Sequence, residues 1–174
     1  GATAAHAKLI AVHTDAAPPG PVGSSQGIID PRGYLVTSMQ YGVDPKTGEL
    51  VSGGASAQMT QAMTNIAAVF TAAGQDLATS GASCWLYGFN STTFGPISDA
   101  YNTFFPDKAH HPSRNPTGAL LALDGALVGV SCRGFPNGGV RIVPPNFFLT
   151  DFNSQGLLVD GGSHLYTSAQ VGAD

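Results

Sequence analysis

The longest hydrophobic pattern in the chain repeats every three or four residues, as one face of an α-helix does. Its members are Met59, Met63, Ile66 and Phe70. Gly74 follows the last turn as a C-terminal stop, so the pattern predicts a helix over residues 55–73. A shorter pattern of Ile97, Tyr101 and Phe105 predicts a second amphipathic helix that ends at Pro106.

Shorter segments have the alternating or wholly apolar pattern of β-strands. Residues 25–44 predict two strands around an Asp-Pro-Arg-Gly turn at 30–33. Residues 83–89 predict a strand packed on both faces, and 119–132 predict a strand or a bent pair of strands. This order of elements predicts an α+β fold with a mixed sheet and two helices on one face. The other sheet face stays apolar, and we expect an oligomer to cover it.

The segment 25–44 recurs at the end of the chain as 154–174. About half of the aligned positions are identical, with one inserted residue, which is the pattern of a duplicated unit. We therefore predict a complete domain over residues 1–137 and, over 138–174, the N-terminal hairpin of a second, incomplete copy. Without helices of its own this hairpin must pair with another element. A shortened chain, cleavage after Asp174 and an evolved appendage all remain open, and we favour the first two.

Composition and charge narrow the classes of partner. The chain has 174 residues, of which 43% are hydrophobic, enough for one packed core. Only 10% are charged, and seven Lys and Arg with a net charge of −4 disfavour nucleic-acid binding. Neither a secretory signal nor an apolar run of about 20 residues is visible. These features predict a cytoplasmic protein with no membrane partner.

The cysteines and the paired histidines are weak candidates for chemistry. Cys84 and Cys132 are far apart and have no metal-ligand spacing, which argues against a zinc site or a disulfide and predicts two buried, small hydrophobic residues. His110 and His111 are adjacent, and adjacent side chains on extended backbone point in opposite directions. A polar loop is therefore predicted there in preference to a metal site.

Five motifs occur together in an order that resembles the Rid (YjgF) family. They are Ser25-Gln26-Gly27, Thr37 to Leu50, Gln58 to Gly74, Ala100 to Pro106 and Pro112-Ser113-Arg114. The agreement covers about residues 10–133. The resemblance implies a chorismate-mutase-like α+β fold, a homotrimer or pseudo-trimer with its helices outside, and ligand clefts between subunits. It also places Arg114 in the family's arginine loop.

Arg114 is the candidate catalytic and substrate-binding residue. The resemblance implies that it binds the carboxylate of a small imine or enamine while an adjacent acid and backbone groups help water attack the imine carbon. A guanidinium offers a planar two-donor fork to a carboxylate, and addition of water to C=N needs proton transfers. We therefore predict a hydrolase similar to the 2-iminobutanoate/2-iminopropanoate deaminases, without a metal or organic cofactor. Outside this family context, an arginine after a Pro-Ser turn would be interpreted as a solvated loop residue.

The remaining candidate substrate-binding residues depart from the family pattern. They are Ser24, Ser38, Met39, Ser98 and Gly129. Ser24, Met39, Ser98 and Gly129 stand where the resemblance implies a tyrosine, a glycine, an asparagine and a glutamate, and the second copy has Asn153 and Ala169 at the first two of these positions. The alternative hypothesis is therefore a non-catalytic module that binds a small acid. A structural subunit of a hetero-oligomer, in which another chain completes the second repeat, is a third.

Overall fold

The structure is a computed structural model that describes residues 8–142, 154–159 and 164–168. The described strands are β1 (Ile10–Val12), β2 (Gly27–Ile29), β3 (Leu35–Thr37), β4 (Gln40–Tyr41), β5 (Gly81–Tyr87), β6 (Ser113–Thr117), β7 (Gly129–Gly134), β8 (Val140–Ile142), β9 (Gly156–Val159) and β10 (His164–Thr167). The described helices are α1 (Gly54–Ala72), α2 (Leu77–Ser80) and α3 (Phe94–Asn102), with a 3-10 turn at Lys108–His110. No described helix is both long and apolar enough to cross a bilayer.

The main sheet is mixed, as the sequence predicts. Its strand order is β1-β2-β3-β7-β5-β6, and β4 also pairs with β7. Strands β5 and β6 run parallel, whereas the other described pairs of this sheet are antiparallel. Helix α1 packs over β3, β4 and β7 and against α3. The α+β class is confirmed.

Most of the predicted elements are present, with corrected ends. The hairpin around 30–33 and the helix predicted over 55–73 are both found. The second helix ends at Asn102 rather than at Pro106, and Phe105 lies in the turn that follows. Of the run 119–132, only residues from Gly129 onward form a strand.

A buried amide explains why residues 125–127 do not join the sheet. The Gln58 side chain accepts a hydrogen bond from the Leu127 N–H at 2.8 Å and donates one to the Gly125 carbonyl at 3.2 Å. Gly125 has a φ of 78°, which breaks the extended conformation. The apolar run therefore contains a turn whose backbone groups are satisfied by a helix side chain, a contact that hydrophobic pattern does not reveal.

Helix α1 approaches β4 closely because Gly42 has no side chain. A Cβ atom at Gly42 would lie 2.6 Å from the Gln58 Cα, far inside contact distance. At the same junction the buried Asn65 amide donates to the carbonyls of Tyr41 at 3.1 Å and Val43 at 2.9 Å. The short strand β4 is thus held by a helix side chain as well as by its partner strand.

Arg114 lies on a strand and is buried, which corrects the expected arginine loop. Strand β6 runs along β5 with Cys84 opposite Arg114. The sequence of β6, Ser-Arg-Asn-Pro-Thr, has weak strand character, and its proline cannot donate to a ladder. The proline is tolerated because β6 is the edge strand of the main sheet. The weak strand character of the segment is the reason why its sequence alone suggested a loop.

A second sheet of order β10-β9-β8 lies beside the main one. Hairpin β9–β10 pairs Gly156 with Thr167, matching the pairing of Gly27 with Thr37 in β2–β3. A small hydrophobic cluster joins the two sheets, and its buried members are Ala82, Phe135, Leu157 and Val159. The assignment of residues 138–174 to a second domain copy stays a prediction.

Cys84 and Cys132 form a disulfide, which contradicts the prediction of two separate buried cysteines. Their 48-residue separation hides the fact that they are directly opposed on antiparallel strands β5 and β7, with Cα atoms 4.2 Å apart. This spacing is typical of a non-hydrogen-bonded antiparallel pair, in which side chains approach most closely. Both residues are buried, as predicted. Sequence spacing could not reveal the contact because it depends on the register of two distant strands.

The Cys84–Cys132 disulfide should stabilise the folded protein. Replacing both cysteines, Cys84→Ala with Cys132→Ala, should lower the free energy of unfolding by about 2–4 kcal/mol, because a closed loop of this length restricts the unfolded chain. Guanidinium unfolding of the two proteins measures the difference. Reductant should destabilise the native protein and leave the double variant unchanged, and equal unfolding midpoints with and without reductant would contradict the assignment.

Candidate functional site

The Arg114 side chain projects from the edge strand toward α3. It shares a face of the sheet with Cys84 and Cys132, which belong to the main core under the helices. Arg114 is only 6% exposed. The solvated loop arginine that its local sequence suggests is therefore not what the fold produces.

Two aromatic rings of α3 lie against the guanidinium. The Arg114 Cζ is 5.9 Å from the centre of the Phe94 ring and 5.8 Å from the centre of the Tyr101 ring. At such distances cation–π attraction contributes about 0.5–2 kcal/mol. Phe94, Ser98 and Tyr101 follow a spacing of four and three residues, so they lie along one face of α3. We call these four residues, Arg114 included, the Arg114 site.

Three polar atoms of the Arg114 site are buried without a hydrogen-bond partner among the described residues. They are Arg114 Nη1, Ser98 Oγ and Tyr101 Oη. Buried polar groups in native proteins are nearly always paired, and an unpaired one costs about 1–3 kcal/mol, more if it is charged. Three such atoms on neighbouring side chains indicate a place where a polar ligand would supply the missing partners.

The charge of Arg114 is not neutralised by any carboxylate in the described part of the chain. Burial lowers the pKa of the guanidinium below its usual value, and the nearby Tyr101 partly opposes this change. Burial also raises the pKa of Tyr101, so its phenol stays protonated and able to donate a hydrogen bond. The site combines a cation with neutral hydroxyl donors, a set suited to an anion.

A pocket of about 310 Å³ lies at the end of this site and is lined by Phe89, Asn90, Ser91, Phe94 and Pro116. Pro116 follows Arg114 by two positions on β6, so both residues lie on the same face of the strand. Phe94 is half-exposed at the mouth of the pocket. The pocket adjoins the Arg114 site through Phe94, which belongs to both.

Ser98 lies on the face of α3 whose Phe94 and Tyr101 rings contact Arg114, but the other predicted site residues lie elsewhere. Ser24 and Ser38 line one groove, and Ser38 and Met39 line another beside the proline-rich segment 18–21. These residues surround the end of β3, which two intervening strands separate from β6, a distance of about 14 Å. Within one chain the predicted residues therefore form two groups. Asn153 and Ala169 lie outside the described residues.

The Met39 side chain fills the space beside Gly129. A Cβ atom at Gly129 would lie 2.8 Å from the Met39 Sδ and 3.3 Å from a ring carbon of Tyr41. Met39 therefore occupies the space into which a side chain at position 129 would extend. The two departures from the family pattern, a larger residue at 39 and a smaller one at 129, are packed against each other.

Phe94, Tyr101 and Ser168 are site residues that sequence reasoning missed. Tyr101 was used only to predict the second helix and Phe94 was not considered, although their spacing around Ser98 carries the signal. Ser168 accepts a hydrogen bond from the Arg114 N–H at 3.0 Å. It is the counterpart of Ser38 in the internal repeat, so the repeat was the signal for it.

The two adjacent histidines have different partners, and the polar loop predicted there is wrong for His111, which is buried, and for His110, which ends a 3-10 turn. The His110 ring lies 2.8 Å from an Asp107 carboxylate oxygen at the surface, whereas the buried His111 ring lies 2.6 Å from the Phe105 carbonyl oxygen. Within the described ranges no group of three His, Cys, Asp or Glu side chains could hold a metal ion.

The mixed sheet with helices α1 and α3 packed against it defines the class as a small α+β domain, and comparison with known proteins agrees with this class. Residues 15–132 match the family model described as endoribonuclease L-PSP. The chain therefore belongs to the endoribonuclease L-PSP family, which includes the Rid (YjgF) proteins.

Named relatives and solved structures support this assignment. A rat 2-iminobutanoate/2-iminopropanoate deaminase is 27% identical over 122 residues, 67% of this chain and 88% of the relative. The human protein of the same name is 31% identical over 97 residues, 55% and 68% of the two chains. The crystal structure of a putative endoribonuclease L-PSP from Entamoeba histolytica superposes with a TM-score of 0.67 at 30% identity and covers 74% of this chain and 99% of its own.

The contact between Met39 and Gly129 predicts a compensating pair. Gly129→Glu should lower the stability by about 0.5–1.5 kcal/mol, because the new side chain must move Met39 away from its present rotamer. In the double variant Met39→Gly with Gly129→Glu, most of that loss should be recovered. Thermal unfolding of the native protein, both single variants and the double variant measures the coupling. Additive single effects would show that the two positions do not share this space.

Proposed function

We propose that the protein is a hydrolytic, imine deaminase-like enzyme that acts on a small carboxylate-bearing imine or enamine. Relatives named 2-iminobutanoate/2-iminopropanoate deaminase at about 30% identity suggest this activity at the level of the family. The observation that carries the proposal for this chain is the buried Arg114 guanidinium, whose Nη1 has no partner among the described residues.

In this proposal Arg114 binds the substrate carboxylate. Leaving a buried cation unpaired costs several kcal/mol, so a ligand that pairs with it regains that free energy on binding. The Tyr101 and Ser98 hydroxyls lie along the same helix face and can donate to carboxylate or carbinol oxygens. The flanking rings exclude water, which strengthens each of these interactions.

The reaction needs only water as co-substrate. A water oxygen adds to the imine carbon while the nitrogen takes up a proton, which forms a carbinolamine. The hydroxyl proton then passes to the amino nitrogen as the C–N bond breaks and the C=O bond forms, and ammonia leaves. The Arg114 site offers hydroxyls but no carboxylate base among the described residues, so we expect substrate positioning to supply most of the rate enhancement.

A binding module that holds a small acid without transforming it is the second candidate. The observation that favours it is the Met39–Gly129 contact, which occupies the space of the glutamate that the resemblance implies. Calorimetry with 2-oxobutanoate separates the two candidates. Tight binding without any turnover of the corresponding imine selects the binding module.

Association into a trimer, a pseudo-trimer or a hetero-oligomer, with ligand clefts between subunits, remains part of the proposal. It is supported by apolar side chains that stay partly exposed on described strands of the main sheet, Ile28 at 43%, Val36 at 38% and Trp85 at 37%. Sedimentation or light scattering of the purified protein tests it. The acidic net charge of −4 gives an RNA substrate little support, despite the family's name.

A cytoplasmic location, predicted from the sequence, is opposed by the Cys84–Cys132 disulfide. Disulfides persist mainly in oxidising compartments. Alkylation of thiols in intact cells, followed by mass measurement of the protein, decides between a cytoplasmic location and an oxidising compartment. Two alkylated cysteines support the cytoplasm, and none supports an oxidising compartment.

Arg114 variants test the proposed function directly. Arg114→Ala should lower kcat/KM for 2-iminopropanoate by about 100-fold, because a charge-assisted bidentate contact is worth about 2–3 kcal/mol. Arg114→Lys keeps the charge but loses the fork, so an intermediate loss of about 10-fold is expected. The measurement is the rate of 2-oxo acid formation above the spontaneous hydrolysis in buffer.

Arg32→Ala is the matched control. Arg32 is an exposed arginine that pairs with Asp30 at 2.7 Å, remote from the site, and its replacement should leave kcat/KM unchanged. A second readout separates function from structure. Without ligand, Arg114→Met should be at least as stable as the native protein, because it removes a buried charge that has no described partner. Unchanged turnover in Arg114→Ala would reject the enzyme, and unchanged binding of 2-oxobutanoate would reject the binding module.

A further inference from the structure

The two hairpins that share the Ser-Gln-Gly motif also share their internal hydrogen bonds. In the first, the Ser38 hydroxyl donates to the Ser25 carbonyl at 2.6 Å. The second consists of β9 and β10 with the flanking Ser154 and Ser168, and we call it the C-terminal hairpin. In it, the Ser168 hydroxyl donates to the Ser154 carbonyl. The amides of Ser38 and Ser168 both donate, at 2.9 Å, to the carbonyl of the motif's glutamine. The hairpins are thus equivalent structural units, and their surroundings can be compared position by position.

Equivalent positions of the two hairpins are buried in opposite ways. Leu35 is fully buried under α1, whereas its counterpart Leu165 is 56% exposed. Ile28 is 43% exposed, whereas its counterpart Leu157 is 1% exposed. One face of the hairpin is therefore covered by the helix layer in the first unit. The opposite face is covered in the C-terminal unit, where it packs against the main sheet.

The buried face of the C-terminal hairpin contacts the strand that carries Arg114. The Ser154 hydroxyl donates to the His111 carbonyl at 2.6 Å, and Ser154 also forms a parallel bridge with Ser113. The Ser168 hydroxyl accepts the Arg114 N–H at 3.0 Å. Ser154 is fully buried and Ser168 is 4% exposed. These bonds satisfy backbone groups of β6 that an edge strand would otherwise leave to solvent.

We propose that the C-terminal hairpin completes the Arg114 site within the same chain and that Ser168 is a positioning residue for Arg114. The inference rests on the proposed function, since it concerns the same binding site. The hairpin fixes the backbone from which the guanidinium projects, and a displacement of about 1 Å at such a point would misplace the two-donor fork. The competing occupant is the first hairpin of another copy, whose partly exposed Ile28 face is equivalent. It would place this one cleft between subunits, so the two arrangements are alternatives at the Arg114 site.

The experiment compares two aspartate substitutions on opposite faces of one hairpin. Leu157→Asp buries a charge in the contact and should release the hairpin. We expect at least 10-fold weaker binding of 2-oxobutanoate and at least 10-fold faster hydrogen exchange at the Arg114 amide. Leu165→Asp lies on the exposed face and should change both by less than 2-fold. Unchanged affinity and unchanged exchange in Leu157→Asp would overturn the proposal.

A third variant separates completion within one chain from completion by another copy. Ile28→Asp places the same charge at the equivalent position of the first hairpin, where it is already partly exposed. If the C-terminal hairpin is the occupant, Ile28→Asp leaves the affinity within 2-fold. Loss of affinity in Ile28→Asp together with native affinity in Leu157→Asp would assign the contact to a second copy and reject our proposal.

Ser168 variants test the positioning role without releasing the hairpin. They therefore remain informative if Leu157→Asp fails to fold. Ser168→Ala should raise the Kd for 2-oxobutanoate and the KM for 2-iminopropanoate several-fold while kcat changes little. Ser168→Thr retains the hydroxyl and should restore native values. A Ser168→Ala variant with native Kd and native exchange at the Arg114 amide would contradict a positioning role.

Binding and amide exchange fail in different variants according to whether the proposed function or the role of the C-terminal hairpin is wrong. If Arg114→Ala binds 2-oxobutanoate as the native protein does, the proposed function fails, and the completed site fails with it. Amide exchange at Arg114 would then still report whether the hairpin docks on β6. If Arg114→Ala abolishes binding but Leu157→Asp and Ser168→Ala do not affect it, the proposed function stands and the inference alone fails.

Discussion

The fold places a guanidinium on an edge strand, under a helix, with no described carboxylate to neutralise it. That burial is the constraint on which the site depends. Arg114 is held there by the rings of Phe94 and Tyr101 and by the backbone of β6. Cation–π attraction offsets only part of a desolvation cost of several kcal/mol. Stability alone gives no reason to keep this arrangement, whereas binding of an anion does.

Two features brace the strand that carries this charge. Along one row of the sheet, Arg114 is opposite Cys84, and Cys84 is bonded to Cys132 on the next strand. On its outer edge, β6 is bonded by Ser154 and Ser168. A strand with an internal proline and weak β propensity would otherwise be a poor support for a precisely placed side chain. Its rigidity is supplied by its neighbours on both sides.

Sequence reasoning found the elements whose signal is local and missed those that depend on register. The helix at 55–73 and the hairpin at 25–44 have periodicity or turn chemistry that a short window reveals. The Cys84–Cys132 disulfide depends on how two strands align after a separation of 48 residues. Arg114 was identified through the family resemblance, but its burial and its aromatic neighbours follow from the packing of α3, which no local pattern specifies. The Asp-Gly interruption at 124–125 indicated a bend, but the Gln58 amide that bonds residues 125 and 127 in place of a strand ladder has no local pattern.

Helix α1 explains why two hairpins of one sequence type have different surroundings. In the first unit it supplies the apolar cover for Leu35, and Asn65 and Gly42 hold β4 against it. The C-terminal hairpin has no such cover among the described residues, so its Leu165 face stays exposed while the opposite face packs on the main sheet. An amphipathic hairpin must bury at least one face to be stable in water. The face left for the C-terminal hairpin is the one whose serine hydroxyls reach the backbone of Arg114, so the same requirement for burial links the repeat to the site.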